Sequence, residues 1–425
     1  MESNNFIFEQ DRIYNYVKKF AFPRLAGSVN EKKAVKLTID TFKGIGFQES
    51  QIKKREFKFS DFYSTSLLKL LMVLNLIFNL ILLILFYIHV LLTIVIIAIM
   101  AIVVFLIFRG LKHPEYRGFW GEYFGNIHTA SNVTVKVPSR KLTEEQVGDI
   151  IISAHLDSKS QTYKTFWRIT FYKLWLYCSL LQGFFYILFV LKVFSIINID
   201  TRIILYGSWI SVILVSVSNF FLMFLNTYNR SPGALDNASG MAIVFELSNY
   251  FRKNPLDHFN VWFCQFSAEE LGTMGSRIFV NDHEKNFIKG RIFQFNFDMV
   301  SCANHKLNQI EYFKSYGVFP RKKIAPLLGK YIRIVADIEK IEINGFHLST
   351  GAHTDSVPFH LRDYDAIDIT TRAAALYAHS EKDSLEKVDP KILARTCNLF
   401  KKVILMMDKD YNNLCDNEEV VCEIK

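Results

Sequence analysis

Histidine and carboxylate residues follow three of the short apolar runs in this sequence. In chain order these are His155 and Asp157 after Ile150–Ala154, Glu269 and Glu270 after Val261–Phe266, and Asp298 after Phe293–Phe297. Imidazole and carboxylate groups are ligands of catalytic zinc, and one carboxylate can join two cations that share a water molecule. A carboxylate that binds no cation can act as the general base toward that water. The residue types therefore indicate a metal-dependent hydrolase.

Short apolar runs also predict the β-strands that must position these side chains. The predicted strands are Asn132–Val137, Asp149–Ala154, Asn260–Phe266, Ile292–Phe297 and Ala366–Ile369. Helical patterns lie between or after them, at Met241–Phe251 and at Ile392–Met407. Strands that alternate with helices are typical of an α/β fold with a mostly parallel sheet, in which ligands bind at the carboxyl ends of the strands. We therefore expect the candidate ligands to converge at one edge of a sheet.

The N-terminal region contains a clear signal for a helix. Ser28 and Glu31 have the spacing of a capping box, in which the two residues satisfy each other's free N–H groups. Apolar residues at helical spacing follow, and the pattern ends at Gly44 and Gly46. We predict a helix between these two signals.

Five stretches carry a resemblance to a known family. They are SAHLDS, GALDNASG, FSAEELGTMGS, FNFDMVS and AHSEKDSLEKVDP, in that order, and PRLAGS precedes them. Together they resemble the dizinc aminopeptidases of peptidase clan MH, whose relatives include glutaminyl cyclase and glutamate carboxypeptidase. The resemblance implies the zinc exopeptidase fold, a mixed and mostly parallel sheet sandwiched by helices. It also implies two Zn²⁺ per chain, with Co²⁺ or Mn²⁺ as alternative occupants.

The resemblance implies a role for each candidate residue. His155 and Asp298 would bind the first metal and Glu270 the second, Asp236 would bridge both, Asp157 would orient the imidazole of His155, and Glu269 would be the general base. The last ligand is either His379, which opens the HSEKDS stretch, or His353, which precedes the segment TDSVPF. We favour His379, because HSEKDS resembles the family's last ligand motif. Tyr377 is a candidate for stabilising the oxyanion, since family members often have a tyrosine near that histidine.

Two long apolar blocks interrupt the sequence. Leu70–Phe108 contains no Asp, Glu, Lys or Arg, and Leu174–Asn229 is broken only by Lys192, Asp200 and Arg202 near its middle. A membrane-spanning helix needs about 20 apolar residues, so each block can form two helices. We predict two transmembrane hairpins, with turns near His89 and at the three charges. The predicted domain boundaries are 1–65, 109–169 and 228–425 for the peptidase domain, and 66–108 and 170–227 for the hairpins.

Basic residues indicate the side of the membrane on which the catalytic domain lies. Thirteen flank the hairpins on the domain side: Lys53, Lys54, Arg55, Lys58, Lys69, Arg109, Lys112, Arg117, Lys159, Lys164, Arg168, Lys173 and Arg230. The far-side turns contain only Lys192 and Arg202. By the positive-inside rule the domain faces the cytoplasm. Six scattered cysteines without a CxxC pair agree with a reducing compartment.

The sequence leaves three functions open. The first is a membrane-anchored dizinc aminopeptidase that removes N-terminal residues from peptides. The second is a single-zinc enzyme like glutaminyl cyclase, and the third is an inactive membrane scaffold. Nucleic acid is not an expected partner, because membrane topology accounts for much of the net charge of +9. The expected partners are a peptide substrate and the lipid bilayer, and the sequence does not indicate an oligomeric state.

The second hairpin separates two candidate ligands. His155 and Asp236 are 81 positions apart, and the apolar block fills most of the interval. Chain continuity therefore predicts a metal centre close to the bilayer surface. Two interpretations follow: lipid-associated peptides are the substrates, or the hairpins are plain anchors and peptides arrive from the cytosol.

Overall fold

The computed structural model describes residues 6–111, 125–317, 321–348 and 354–415. The chain divides into two compact units. The first unit comprises Met1–Phe59, Ile127–Lys164 and Tyr228–Lys425, and the second comprises Ser60–Asn126 and Thr165–Thr227.

The described residues form eleven strands and twelve α-helices. The strands are β1 Ile52–Ser60, β2 Ile127–Val137, β3 Gly148–His155, β4 Ser160–Gln161, β5 Thr227–Tyr228, β6 Phe259–Phe266, β7 Ile292–Phe297, β8 Ile310–Tyr316, β9 Lys322–Lys323, β10 Ile343–Leu348 and β11 Asp365–Thr370. The helices are α1 Gln10–Phe20, α2 Val29–Ile45, α3 Thr65–Ile88, α4 Val90–Leu111, α5 Thr165–Val193, α6 Thr201–Met223, α7 Gly240–Lys253, α8 Met274–His283, α9 Pro326–Glu339, α10 Val357–His360, α11 Pro390–Lys409 and α12 Tyr411–Cys415.

A large mixed sheet forms the centre of the first unit. Its strand order is β1-β2-β6-β3-β7-β11-β8-β10, and β9 pairs with β8. Strand β3 lies parallel to both β6 and β7, and β7 lies parallel to β11. Strand β2 is antiparallel to β6, and β11 is antiparallel to β8. The prediction of a mixed, mostly parallel sheet between helices is confirmed.

All five predicted strands are present, whereas the longer strands β1, β8 and β10 and the two-residue strands β4, β5 and β9 were not predicted. The sequences of β1 and β8, IKKREFKFS and IEYFKSY, contain charged residues at several positions. Strand β10 has the sequence INGFHL and is only partly buried. These strands lack the continuous apolar run of a strand that is buried on both faces, which was the signal used for the prediction.

Helix α2 begins and ends where the sequence predicted, but its cap differs from a full capping box. Ser28 Oγ accepts a hydrogen bond from the backbone N–H of Glu31, and Gly46 ends the helix in the left-handed region with φ of 106°. The Glu31 side chain does not return to Ser28. Its buried Oε1 accepts hydrogen bonds from Ser131 N and Ser267 Oγ instead. Glu31 therefore connects α2 to strand β2 and to the segment after β6.

The core of the first unit lies between the sheet and the surrounding helices. Helix α7 is buried along most of its length, because it packs on the sheet with one face and on other helices with the other. The Phe245 ring contacts the rings of Phe20 in α1 and Phe42 in α2. Burial of such rings contributes about 1.5–3 kcal/mol each to folding. This packing makes α7 a rigid support for the loop that precedes it.

The second unit contains the four apolar helices α3 to α6. Each is long and apolar enough to cross a membrane, by length and composition. His89 is the single residue between α3 and α4, as the sequence predicted for the first turn. Helix α5 begins at Thr165, before the predicted boundary at 170, and therefore includes Arg168. The domain boundaries and the membrane topology stay predictions.

A buried polar cluster connects two of these helices. Gln182 Nε2 of α5 donates to Asn79 Oδ1 of α3 and to Tyr186 Oη. Asn75 Oδ1 accepts a hydrogen bond of 2.7 Å from Asn79 Nδ2. In a low-dielectric environment, side-chain amides need such partners, so the cluster favours one specific pairing of α3 and α5.

Replacement of Asn132 tests how β2 supports the segment after β6. Asn132 is buried, donates from Nδ2 to Gly275 O at 2.8 Å, and accepts from Ser267 N at 3.0 Å. Asn132→Leu should lower stability by about 2–4 kcal/mol, because it leaves two buried backbone groups without partners. We expect a fall of several degrees in the thermal midpoint of the detergent-solubilised protein. Lys53→Ala, a change at an exposed position of β1, should leave the midpoint within about one degree. Equal midpoints for both variants would contradict this role of Asn132.

Candidate metal centre

The ends of three neighbouring strands bring the predicted ligands together. His155 is the last residue of β3, Asp298 directly follows β7, and Glu269 and Glu270 follow β6. Because β3 lies between β6 and β7 in parallel register, their carboxyl ends meet at one edge of the sheet. All four residues are buried.

Asp236 lies between the two histidines. Its Oδ1 is 3.1 Å from His155 Nε2, and its Oδ2 is 3.1 Å from His379 Nε2. His155 Nε2 is also 3.4 Å from Asp298 Oδ1, and His379 Nε2 is 3.1 Å from Glu270 Oε2. Glu269 Oε2 is 4.0 Å from His155 Nε2, farther than any of these contacts.

These contacts define two groups that could each hold a metal ion. One group is His155, Asp236 and Asp298, and the other is Asp236, Glu270 and His379. Within each group the potential ligand atoms lie within 4.8 Å of one another. Asp236 belongs to both groups, which is the position that a bridging carboxylate requires.

The loop that presents Asp236 is fixed by its backbone. Gly233 has a φ of +62°, and a Cβ there would lie 2.5 Å from Ser158 Cβ and 2.6 Å from Asp236 O. Only glycine fits this position. Asp383 accepts hydrogen bonds from the N–H groups of Leu235 and Asp236, at 2.6 and 3.1 Å. Asp383 belongs to the AHSEKDS stretch, so the segment that supplies His379 also holds the Asp236 loop.

Asp157 makes a different contact from the one that the resemblance implied. Its carboxylate is 3.8 Å from His155 Nδ1, which is too long for a hydrogen bond. The partner of Nδ1 is the main-chain oxygen of Asp157, at 3.0 Å. The Asp157 carboxylate instead accepts from the N–H groups of Glu269 and Glu270, both at 3.2 Å. Asp157 thus fixes the imidazole through its backbone and the Glu269–Glu270 turn through its side chain.

Burial and mutual charge set the pKa values of these groups. Burial would raise the pKa of Asp236, but hydrogen bonds from His155 and His379 outweigh it and hold that pKa well below its usual range. Burial raises the pKa of Glu269 well above its usual range, and the charges of Glu270 and Asp298 add to this effect. For Glu270, His379 and Lys159 oppose burial and lower its pKa to about 2. The two adjacent glutamates therefore occupy opposite electrostatic environments.

The sequence did not predict that two cationic residues, Arg24 and Lys159, lie at the metal centre. Arg24, in the PRLAGS stretch, is fully buried and donates to the carbonyls of Phe20, Phe22, Leu156, Pro232 and Gly233. It therefore joins the N-terminal segment to the backbone on either side of the second apolar block. Lys159 Nζ lies 2.7 Å from Glu270 Oε2 and donates to Glu270 O at 3.0 Å. The family-like PRLAGS stretch is the sequence feature that could have identified Arg24. The position of Lys159 directly after HLDS could have identified that residue.

Two other candidates, His353 and Tyr377, have different outcomes, and the sequence did not single out a third residue, Asp355. His353 lies outside the described residues, so its alternative role as the last ligand stays a prediction. Tyr377 is partly buried in the core, and its ring lies under Lys387 Nζ at 4.9 Å. Asp355, in the TDSVPF segment, is fully buried, and burial raises its pKa to about 7. The charges of Asp157 and Asp298 contribute to the pKa of Asp355, which therefore belongs to the same buried acidic cluster.

The donor set fits bound cations. Glu270 Oε1 is a buried oxygen to which no described residue donates a hydrogen bond. Buried carboxylate oxygens normally have a hydrogen-bond partner or a bound ion. Two imidazoles with several carboxylates are also the ligand types that zinc takes in proteins.

Part of the sequence is similar to known peptidases. Residues 216–404 match peptidase family M28, a range that contains the ligand candidates except His155. The aminopeptidase YwaD of Bacillus subtilis is 29% identical over 179 residues, which are 41% of this chain and 37% of that protein. The matched region thus spans less than half the length of this relative.

Two solved structures have a similar fold. A zinc aminopeptidase from Bacillus subtilis superposes with a TM-score of 0.54 at 13% identity, covering 94% of this chain and 95% of that one. A glutaminyl cyclase from an Acidobacteriales bacterium superposes with a TM-score of 0.54 at 14% identity, covering 96% and 98%. Residues 216–404 therefore match peptidase family M28, and the chain has the fold of the zinc aminopeptidases, which confirms the family resemblance of its motifs.

Proposed function

We propose that this protein is a membrane-anchored, zinc-dependent aminopeptidase that hydrolyses N-terminal residues from peptides. The observation that carries the proposal is the position of Asp236 between the two histidines, with a separate carboxylate completing each group. The M28 match and the 29% identity to an aminopeptidase support the peptidase chemistry.

We assign two zinc ions to the two groups of ligands. His155, Asp236 and Asp298 would hold the first, and Asp236, Glu270 and His379 would hold the second. When bound, the two cations would lower the pKa of a shared water and neutralise the charge that develops on the scissile carbonyl.

Glu269 is the residue to which we assign proton transfer. It is buried, adjoins the ligand Glu270 in sequence, and belongs to neither ligand group. Its carboxylate would accept a proton from the attacking water and donate it to the departing amine. Asp157 holds the Glu269 and Glu270 N–H groups and so positions the base relative to the ligands.

Glutaminyl cyclisation is the second candidate function. A glutaminyl cyclase has the same fold at a similar TM-score, so the fold does not separate the two chemistries. Two ligand groups that share Asp236 favour the dizinc peptidase over a single-zinc enzyme.

We further propose that the four apolar helices cross a membrane and that the catalytic unit faces the cytoplasm. The supporting observations are the length and hydropathy of these helices and the excess of basic residues near their catalytic-side ends.

Removal of the proposed base should abolish turnover and leave the metals in place. Glu269→Gln should reduce kcat on an amino-acid anilide by about 10²–10⁴-fold, because general-base assistance is lost. Metal analysis of the purified variant should still give two zinc ions per chain. Glu145→Gln, at an exposed position, is the matched control and should keep wild-type activity. Unchanged turnover in Glu269→Gln would show that another group takes the proton.

The choice of the last ligand has its own test. His379→Ala should retain about one zinc per chain, because it removes a ligand of only one group. His353→Ala should retain both. The opposite pair of results would make His353 the ligand. One zinc in the unmodified protein, with cyclisation of N-terminal glutamine, would favour the cyclase.

The orientation in the membrane can be measured with introduced cysteines. Ile196 lies between α5 and α6 and is 67% exposed. In intact cells, a membrane-impermeant maleimide should label Ile196→Cys but label Glu145→Cys only after permeabilisation. The unmodified chain gives the background from native cysteines. Labelling of Glu145→Cys in intact cells would place the catalytic unit outside the cytoplasm.

A further inference from the structure

A cleft with basic walls lies beside the candidate metal centre within the first unit. Its volume is about 340 Å³, and its lining includes Gln161, Lys164, Arg230, Glu381 and Lys382. Three of these side chains are cationic and one is anionic. The metal centre itself has the opposite balance, with several buried carboxylates, so the cleft is a separate electrostatic environment.

Hydrogen bonds fix the cleft to the metal centre. Gln161 N donates to His379 O at 3.0 Å, which joins one wall to the backbone of a proposed ligand. Ser160 Oγ accepts from Arg230 N at 3.0 Å, so the Arg230 segment is held against the same wall. Lys382 is three residues after His379, and three residues of chain span at most about 11 Å. A peptide with its scissile bond at the metal centre can therefore reach the cleft with a residue close to that bond.

The cationic groups of the cleft are incompletely balanced. Arg230 Nη1 and Glu381 Oε1 are 3.8 Å apart, and both side chains are about two-thirds exposed, at 65% and 68%. At 3.8 Å the two atoms are too far apart for a hydrogen bond, so Glu381 neutralises Arg230 only weakly. Within the described ranges, neither Lys164 nor Lys382 forms an ion pair with a carboxylate. Isolated surface lysines are ordinarily solvated, but here three cations share one concave surface, where their fields add.

We propose that this cleft binds a carboxylate of the substrate, within about three residues of the scissile bond. The inference deepens the proposed peptidase function and rests on it. The carboxylate comes either from an Asp or Glu side chain or from the free C-terminus of a short peptide. Arg230, Lys164 and Lys382 supply the complementary charge, and Arg230 is held over the Tyr228 ring at 5.0 Å.

Matched tripeptides distinguish the two sources. Leu-Asp-Ala-amide and Leu-Asn-Ala-amide differ only in a side-chain charge, and Leu-Ala-Ala with a free or an amidated C-terminus differs only in the terminal charge. We expect the anionic member of one pair to have a kcat/KM about tenfold higher than its neutral partner, mainly through a lower KM. One or two partly exposed ion pairs can supply a difference of this size. The preference should decrease as NaCl is raised, because salt screens exposed charges.

Variants connect the preference to the cleft. The double variant Arg230→Gln with Lys382→Gln should remove the preference by lowering kcat/KM of the anionic peptide to that of its neutral partner. Lys285→Gln, an exposed lysine beyond the far end of α8, should keep it. Equal kcat/KM within both pairs, or a preference that survives the double variant, would overturn the proposal.

A binding measurement separates this inference from the proposed function. The Glu269→Gln protein should bind the preferred anionic tripeptide about tenfold more tightly than its neutral partner, and the added double variant should remove the difference. Charge-dependent binding without cleavage by the unmodified protein would retain the cleft and reject the peptidase. Cleavage of all peptides with no charge dependence in binding would retain the peptidase and reject the cleft.

Discussion

The structure depends on how several carboxylates are kept together in a buried volume. Asp157, Asp236 and Asp355 are at most 4% exposed, and Glu269, Glu270 and Asp298 are at most 9% exposed. An isolated buried charge costs several kcal/mol unless it is paired, hydrogen-bonded or neutralised. Three of these acids are stabilised in different ways. Asp236 is held ionised by two imidazoles, Asp157 accepts two backbone N–H groups, and Glu270 pairs with Lys159 and His379.

Contacts within the first unit explain how the site accommodates the long apolar block between two of its proposed ligands. His155 and Asp236 belong to segments that the second apolar block separates, yet contacts within the first unit hold those segments together. Ser158 Oγ donates to Ser231 O, and Arg24 donates to Leu156 O on one side and Gly233 O on the other. Arg24 accordingly supplies a positive charge beside the acids and closes the loop in which the insertion sits. The extra entropy of a longer loop is small once its ends are fixed in this way.

The sequence predicted the central strands and the convergence of the ligands, because both depend on local patterns. A buried parallel strand is a continuous apolar run, and the residue that follows it must lie at the carboxyl edge of the sheet. The contacts of Asp383, Arg24 and Asn132 could not be predicted in that way, since each joins backbone groups that are distant in the chain. Glu31 illustrates the limit: its spacing from Ser28 predicted a capping box, but tertiary contacts with Ser131 and Ser267 determine where its carboxylate lies.

The arrangement of charges is compatible with the two cations that we propose. Asp298 serves only the first ligand group, Glu270 only the second, and Asp236 serves both. If both histidines are neutral, the four positive charges of two divalent ions would be balanced by the three ligand carboxylates and by the carboxylate of Glu269. A single ion in the second group would leave Asp298 and Glu269 buried beside His155, with the imidazole as their nearest positive partner. Burial would lower the pKa of His155, but Glu269, Asp236 and Asp298 outweigh it and raise that pKa well above its usual range. A protonated His155 cannot bind a metal through Nε2, so loss of the first cation would convert this ligand into a counter-ion for the acids around it.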